Sequence, residues 1–181
     1  MAKNKLLVQF PGVDYSCDKP LLYYAAQVFD NRGYEIKKIK YKTRFNIKTD
    51  NLNDFIEENR AYVLEQLIDI DFKKYEDVVF LSKSIGTAIA GYFEVYLKIL
   101  VRHIYLTPVK EALKYFQRGK CIVVSGKNDK ILDSKKLKIY CIEQDVALKQ
   151  FEEVGHSLEN RQDINKTFAI LMVIIRLYKE F

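Results

Sequence analysis

The stretch 77–91, which reads DVVFLSKSIGTAIAG, is the feature that most constrains how this chain can fold. A short apolar run, VVFL, ends abruptly at Ser82, and small residues at helical spacing follow a few positions later. This pattern predicts a buried strand that turns sharply into a helix. Ser82 and Gly86 are both small, as a tight turn requires where its flanking positions approach each other. We therefore expect Ser84 at the apex, with its hydroxyl beside the unpaired N–H groups of a helix N-terminus.

The rest of the chain alternates short apolar runs with longer amphipathic stretches. Strands are predicted over Lys5–Phe10, Tyr34–Tyr41, Asp77–Leu81, Arg102–Leu106, Lys120–Ser125 and Asp145–Glu152. Helices are predicted over Pro20–Asn31, from Leu52 to about Asp71, from the turn to about Ile99, and over Val109–Phe116, Lys135–Glu143 (an ambiguous pattern) and Asn160–Tyr178. This alternation favours an α/β protein, a three-layer α/β/α sandwich with a mostly parallel central sheet of about six strands.

Length and composition fit one domain spanning residues 1–181. The three cysteines (Cys17, Cys121 and Cys141) are widely spaced and form no CxxC pair, which indicates thiols of a reducing compartment. The apolar part of the N-terminus is too short for a signal peptide, and the most hydrophobic later stretch, Phe168–Ile175, is too short to span a bilayer. We therefore expect a soluble cytoplasmic protein.

Charge and motif spacing argue against several classes of partner. The formal net charge is +6, but the basic residues are scattered among acidic ones and no nucleic-acid motif accompanies them. The seven glycines never reach the spacing of a phosphate-binding loop, and Glu152-Glu153 has no second histidine to complete a metal site. We expect no nucleic acid, no membrane, no metal and no cofactor. An oligomer is conceivable through the long, broadly apolar C-terminal helix, without direct support.

Three polar residues follow predicted strands and fall at the carboxyl end of the sheet, where ligands bind in such folds: Ser84, Asp129 and His156. Each has an ordinary structural interpretation when taken alone. A serine at a strand-to-helix turn is often a helix cap, and Asn-Asp suits a turn. Asn128 and Asp133 are alternative candidates for the acid. The order serine, aspartate, histidine favours a joint role.

The segments LSKSIG, VVSGKNDKIL and FEEVGHSLE carry a resemblance to the α/β-hydrolase superfamily. Ser84 and Asp129 are 45 residues apart, and Asp129 and His156 are 27 apart, so the intervening strands and helices fit. The chain resembles a small member without a lid domain and without the family's usual first two strands. Its turn reads Ser-x-Ser-x-Gly where the family has Gly-x-Ser-x-Gly, and its first loop lacks a His-Gly pair.

The resemblance implies a role for each residue. Ser84 would be the nucleophile, His156 the base that takes its proton, and Asp129 the carboxylate that orients the imidazole. The backbone N–H of Ile85 would be one donor to the oxyanion, and Val13 is expected to supply the second, with Gly12 or Asp14 as alternatives.

Other residues near the predicted site are candidates for substrate contact. They are Gly12, Asp14, Tyr15, Lys83, Thr107 and Pro108. A solvated Lys83 is the simpler interpretation of that residue, and Tyr23 and Tyr24 fit packing of the first helix as well as a pocket. His103 opens a strand away from the site and is interpreted as structural.

The expected function is that of a serine hydrolase acting on a carboxylic ester or thioester of a small acid. Two alternatives remain open from the sequence. One is a binding or regulatory module with the same fold and a vestigial triad, and the other is the same triad acting on an amide or peptide.

Overall fold

The computed structural model describes residues 4–46 and 50–181. Within these ranges six strands form one sheet in the order β2-β1-β3-β4-β5-β6, and every neighbouring pair is parallel. The strands are β1 (Lys5–Phe10), β2 (Tyr34–Lys38), β3 (Asp77–Lys83), β4 (Arg102–Leu106), β5 (Cys121–Gly126) and β6 (Ala147–Phe151). The α-helices are α1 (Pro20–Asn31), α2 (Leu52–Leu67), α3 (Ile85–Leu97), α4 (Ser134–Glu143) and α5 (Ile164–Glu180). Short 3₁₀ segments occupy Phe72–Lys74 and Lys110–Tyr115.

The two faces of the sheet bury separate hydrophobic clusters. In β1, Leu6 and Val8 pack into one cluster and Leu7 packs into the other, because successive side chains of a strand point to opposite faces. The first cluster is covered by α2, α3 and α4, and the second by α1 and α5. Helices on both faces of a parallel sheet make three layers, so the predicted fold class is confirmed.

Most predicted elements occur, and their differences lie at the ends. The second strand stops at Lys38 rather than Tyr41, although the Ile39 N–H still donates to Gln9 O. The second helix ends at Leu67, before the predicted Asp71. The predicted helix over Val109–Phe116 is a 3₁₀ segment.

The last helix begins later than its hydrophobic pattern indicates. Asp163 accepts hydrogen bonds from the backbone N–H groups of Asn165 and Lys166, and so caps the helix at Ile164 rather than at Asn160. Residues 160–163 therefore stay in the loop that follows His156, and Asn160, Arg161 and Gln162 border the cleft described below.

The three cysteines are free and buried. None of the helices in the described ranges combines the length and the apolar character needed to cross a bilayer. Within the same ranges, no group of three or more histidine, cysteine, aspartate or glutamate side chains is placed to hold a metal ion.

Candidate active site

The turn between β3 and α3 has the sharp geometry that the sequence predicts. Ser84, the single residue between the two elements, has φ 56° and ψ −124°, a strained conformation for a residue with a side chain. A Cβ added to Gly86 would lie 2.4 Å from the Phe10 carbonyl oxygen and 2.5 Å from that of Pro11. Glycine is therefore required at this position, because the end of β1 passes directly against the first turn of α3.

The structure brings Ser84, His156 and Asp129 into one chain of hydrogen bonds. His156 Nε2 lies 2.7 Å from Ser84 Oγ, and His156 Nδ1 lies 2.8 Å from Asp129 Oδ2. A carboxylate only accepts, so Nδ1 carries a proton and Nε2 of the neutral ring is free to accept one from the serine. The other oxygen of Asp129 accepts from the backbone N–H of Ile131 at 2.8 Å, which fixes the carboxylate plane.

The loop after β5, which carries Asp129, and the loop after β6, which carries His156, are joined through their backbones. The Asn128 N–H donates to Val154 O at 3.0 Å, and the Lys127 N–H donates to Phe151 O at 2.8 Å. A Cβ on Gly126 would lie 2.2 Å from the Val154 carbonyl oxygen, so only glycine permits this approach. These contacts hold the acid and the histidine in register independently of their own hydrogen bond.

Burial differs along the three side chains. The side chain of Asp129 is 2% exposed and that of His156 is 25% exposed, while Ser84 as a residue is 5% exposed. A buried carboxylate interacts strongly with an imidazolium that forms beside it, because little water screens the two charges. The imidazole edge, in contrast, reaches an open cleft where a reacting molecule has access.

The alternative acid Asp133 and the second histidine lie elsewhere, whereas Asn128 lines the cleft beside Ser84. Asp133 caps α4, where its carboxylate accepts from the N–H groups of Lys135 and Lys136. His103 is buried in β4 and contacts Glu94 of α3 at 2.9 Å. His103 is therefore part of the packing between strand and helix, as expected, and Asp129 is the carboxylate that meets His156.

Two backbone N–H groups are candidates for oxyanion donors beside Ser84. The Ile85 N–H belongs to the first residue of α3 and has no acceptor within the helix. In the loop after β1, the Gly12 N–H already donates to Tyr15 O at 3.1 Å, so Gly12 is a poor candidate for the second donor. The Val13 N–H makes no hydrogen bond within the described residues. A Cβ on Gly12 would lie 3.0 Å from Ser84 Cβ, which shows how closely this loop passes the serine.

Lys83 is not the solvated lysine that the sequence suggests. It is 2% exposed, and its ammonium donates to Thr107 Oγ1 at 2.5 Å and to the backbone oxygen of His156 at 2.8 Å. The same ammonium lies 5.3 Å from the centre of the Tyr15 ring. Burial lowers the pKa of Lys83 to about 8, against the opposing attraction of Asp129 and Glu159.

The other predicted contact residues divide into two groups. Thr107 and Pro108 are buried, and neither lines the cleft beside the serine or the smaller cavity next to it, so the geometry does not favour substrate contact there. Tyr15 lines both spaces, and its hydroxyl accepts from the Leu21 N–H at 3.0 Å. Burial raises the pKa of Tyr15 to about 12. Gly12 and Asp14 line the smaller cavity only.

The open cleft beside Ser84 has a volume of about 1030 Å³. Ser84 and His156 lie on its wall, and the loop between β6 and α5 supplies much of the remaining lining, including Glu159 and Arg161. No sequence pattern singled out Glu159 or Arg161. Arg161 falls within the predicted helix, and only the later start of α5, set by its Asp163 cap, leaves it in the loop.

A smaller cavity of about 340 Å³ lies on the other side of Val13 and was also missed. Its walls include Tyr41, Phe45 and Phe55. The sequence signal was an aromatic residue, Phe45, within an otherwise polar segment after β2, but aromatic residues are more often interpreted as core.

Comparison with known proteins defines the class of fold. No protein-family model matches this chain, and no curated protein matches it by sequence. Solved structures do match. Est1E from Butyrivibrio proteoclasticus, determined with bound ferulic acid, is 12% identical and superposes with a TM-score of 0.71, covering 100% of this chain and 89% of its own.

Two further structures give a similar result. A serine hydrolase without a lid from Xanthomonas campestris is 13% identical with a TM-score of 0.66, covering 98% of this chain and 84% of its own. An esterase from Pyrococcus furiosus is 11% identical with a TM-score of 0.65, covering 96% of this chain and 83% of its own. This protein therefore has the α/β-hydrolase fold, as the resemblance in its sequence predicts.

Proposed function

We propose that this protein is a serine hydrolase that cleaves a carboxylic ester or thioester of a small acid through an acyl-Ser84 intermediate. The observation that carries the proposal is the continuous chain of hydrogen bonds from Ser84 Oγ through His156 to Asp129, with both links under 3 Å. A hydroxyl attacks a carbonyl poorly unless a base removes its proton, and this imidazole is placed to do so.

The proposed reaction has two halves. Ser84 Oγ attacks the carbonyl carbon while its proton passes to His156 Nε2, and the carbonyl oxygen becomes an oxyanion facing the N–H groups of Ile85 and Val13. The bond to the leaving group then breaks, and His156 returns the proton to the departing oxygen or sulfur. Water, deprotonated by the same imidazole, releases the acid and restores the serine.

Two observations support an ester as the substrate. Esterases are among the structures with the same fold, which include the Pyrococcus furiosus enzyme and a protein that binds ferulic acid. The cleft beside Ser84 is open, so the site accepts small molecules without a lid movement. The same residues would also serve an amide, which a matched amide substrate tests directly. The short contacts between the three side chains argue against a vestigial, misaligned triad.

Substitution of Ser84 tests the proposal. We expect the wild-type protein to react with a fluorophosphonate probe and to hydrolyse short p-nitrophenyl esters. Ser84→Ala should abolish labelling and lower hydrolysis by about a thousandfold or more, because no other hydroxyl occupies its position. Ser82→Ala, two residues away and buried with its hydroxyl against Ile104 O, is the matched control for labelling. Equal ester hydrolysis by the wild type and Ser84→Ala would overturn the assignment.

We also propose a reducing, cytoplasmic location. The three thiols are free and buried, which suits a compartment where disulfides do not form.

A further inference from the structure

The cavity of about 340 Å³ borders the proposed oxyanion donors but not the histidine. Its wall contains Val13 and Ile85, while His156 and Ser84 face only the larger cleft. Val13 and Tyr15 separate the two spaces, since both residues line each of them. Two spaces therefore lie on either side of Val13, next to the proposed site.

The proposed chemistry assigns one part of the substrate to each space, so this inference rests on the proposed function. His156 must reach the leaving atom to protonate it, so the alcohol or thiol portion lies in the cleft that His156 lines. The oxyanion must point at the N–H groups of Ile85 and Val13. The acyl chain, which is the remaining substituent of the carbonyl carbon, then lies in the smaller cavity beyond Ile85 and Val13.

Aromatic rings dominate the inner wall of this cavity. The ring of Phe55 contacts the rings of Tyr41 and Phe45 at centroid distances of 5.5 and 5.2 Å, both edge to face. Ile85, Pro11 and Val13 add aliphatic surface. Aromatic pairs in offset or edge-to-face arrangements are stabilised beyond the effect of the area that they bury, so this wall favours a flat ring over an alkyl chain.

The position of the three rings is held by the fold. The Tyr41 hydroxyl donates to Pro11 O at 3.1 Å, which ties the segment after β2 to the loop that carries Val13. Phe55 is buried in α2 and supports Phe45, which is only half-buried and faces the cavity. The cavity is thus preformed, and its polar residues, among them Thr43 and Arg44, belong to the exposed side.

We propose that this cavity is the acyl subsite and that it takes the ring of an aromatic carboxylic acid. The volume of about 340 Å³ lies at the low end of the range for small-molecule sites, which suits one ring and a short spacer.

Ethyl esters with matched acyl groups test the proposal, because an ethyl leaving group cannot itself occupy an aromatic cavity. We expect kcat/KM for ethyl phenylpropanoate to exceed that for ethyl cyclohexylpropanoate by about twofold to tenfold, since only the first has a ring that interacts edge to face. Equal values for these two esters and for ethyl hexanoate would overturn the proposal. So would an aromatic preference seen only when the ring is moved to the alcohol, as in phenylpropyl acetate compared with hexyl acetate.

Two variants connect the preference with the cavity. Phe45→Leu should reduce the ratio of aromatic to cyclohexyl turnover toward one. The control is Phe72→Leu, which removes a half-buried ring that packs on Phe80 outside both spaces, and it should leave the ratio unchanged. An unchanged ratio in Phe45→Leu contradicts the proposal.

Fluorophosphonate labelling separates the two levels of inference. If Ser84 is labelled and alkyl esters are hydrolysed without aromatic preference, the acyl subsite is wrong and the hydrolase assignment stands. If Ser84 does not react and no ester is cleaved, the proposed function fails and this proposal fails with it.

Discussion

Lys83 is a charged residue that the protein buries beside the proposed nucleophile. Its ammonium joins the end of β3 to the Thr107 side chain and to the backbone of His156. Within the described residues no carboxylate lies at salt-bridge distance from this ammonium. Burying the charge therefore costs free energy, which its two hydrogen bonds must offset. We interpret Lys83 as a positioning residue that fixes the loop carrying the base.

Substitution of Lys83 by methionine should lower kcat about tenfold with little change in KM. A hydrogen bond to a charged group contributes about 1.5–3 kcal/mol, and its loss frees the His156 loop. Lys136→Met, an exposed lysine on α4, is the control and should change neither constant. A similar kcat for Lys83→Met and wild type contradicts the positioning role.

The pH profile distinguishes positioning from a purely structural role. Because burial lowers the pKa of Lys83 to about 8, the lysine loses its charge as the pH rises through about 8, and a neutral amine donates more weakly. The wild-type rate should therefore fall above about pH 8, whereas the Lys83→Met rate should stay level there. Parallel profiles would mean that the charge of Lys83 does not act on the base.

At the scale of elements, α3 and β4 are joined by a buried polar contact. Glu94 of α3 accepts from His103 Nε2 of β4, and the other nitrogen of the ring, Nδ1, has no partner in the described part of the chain. Protonation would place a buried N–H without an acceptor at Nδ1. Burial accordingly lowers the pKa of His103, even though the hydrogen bond to Glu94 opposes this shift.

The free energy of unfolding should therefore fall as the pH drops below about 6.5, the usual pKa of histidine. The folded protein keeps His103 neutral while the unfolded chain binds a proton, so acid favours the unfolded state by up to about 1.4 kcal/mol per pH unit. Urea unfolding between pH 7 and 5 measures the slope. His103→Gln keeps a donor for Glu94 and does not titrate, so its slope should be smaller than that of the wild type. Identical slopes would show that His103 does not contribute.

At the scale of the whole molecule, the candidate site and a second polar network occupy opposite ends of the sheet. Ser84, Asp129 and His156 follow the carboxyl ends of β3, β5 and β6. At the amino ends of β3 and β4, Arg102 donates to both oxygens of Asp77, at 3.0 and 2.5 Å. The Tyr34 hydroxyl of β2 also donates to Asp77, and Arg102 reaches the Phe181 backbone oxygen after α5.

Asp77→Asn should destabilise the whole protein and leave the site intact. Loss of charge-assisted hydrogen bonds in this partly exposed network lowers the free energy of unfolding by about 2 kcal/mol. Fluorophosphonate labelling of Ser84 in the folded variant should match the wild type. A large loss of labelling at a temperature where the variant is fully folded would show that the two ends of the sheet are coupled.

The same network makes stability depend on acid. Although burial opposes it, hydrogen bonds from Arg102 and Tyr34 hold the pKa of Asp77 below its usual value near 4. Its contribution is therefore complete above about pH 4 and is lost as the pH falls through the lowered pKa. The Asn variant should lack this part of the acid dependence in the same unfolding experiment.

Much of the fold was predictable because its patterns are local. The apolar runs of β1, β3 and β4, the break after α1 at Gly33 and the sharp turn at Ser84 are visible within a few residues. Element ends were less predictable, since they depend on caps and edges. The Asp163 cap moves the start of α5 to Ile164, and β2, an edge strand, separates from β1 after Lys38.

The candidate site likewise has features that the sequence predicts and features that it does not. The order of Ser84, Asp129 and His156 along the chain was enough to expect their meeting, because carboxyl ends of parallel strands share one edge of a sheet. The state of Lys83 was not predictable, because its burial depends on Thr107 and His156, which are distant in sequence. The hydrogen bond from the Gly12 N–H to Tyr15 O, which disfavours Gly12 as the second donor, likewise leaves no sequence pattern.

The strand-turn-helix stretch 77–91 by itself determined the place of Ser84, because a sharp turn flanked by small residues is a local steric requirement. The alternation of apolar runs and amphipathic stretches along the chain determined the fold class. Only the tertiary structure decided what surrounds that serine. The segments after β1, β2, β4, β5 and β6, together with α2, set the open cleft, the aromatic cavity and the buried lysine through contacts between residues far apart in the chain. Such contacts depend on the packing of the complete sheet, so no single segment contains them.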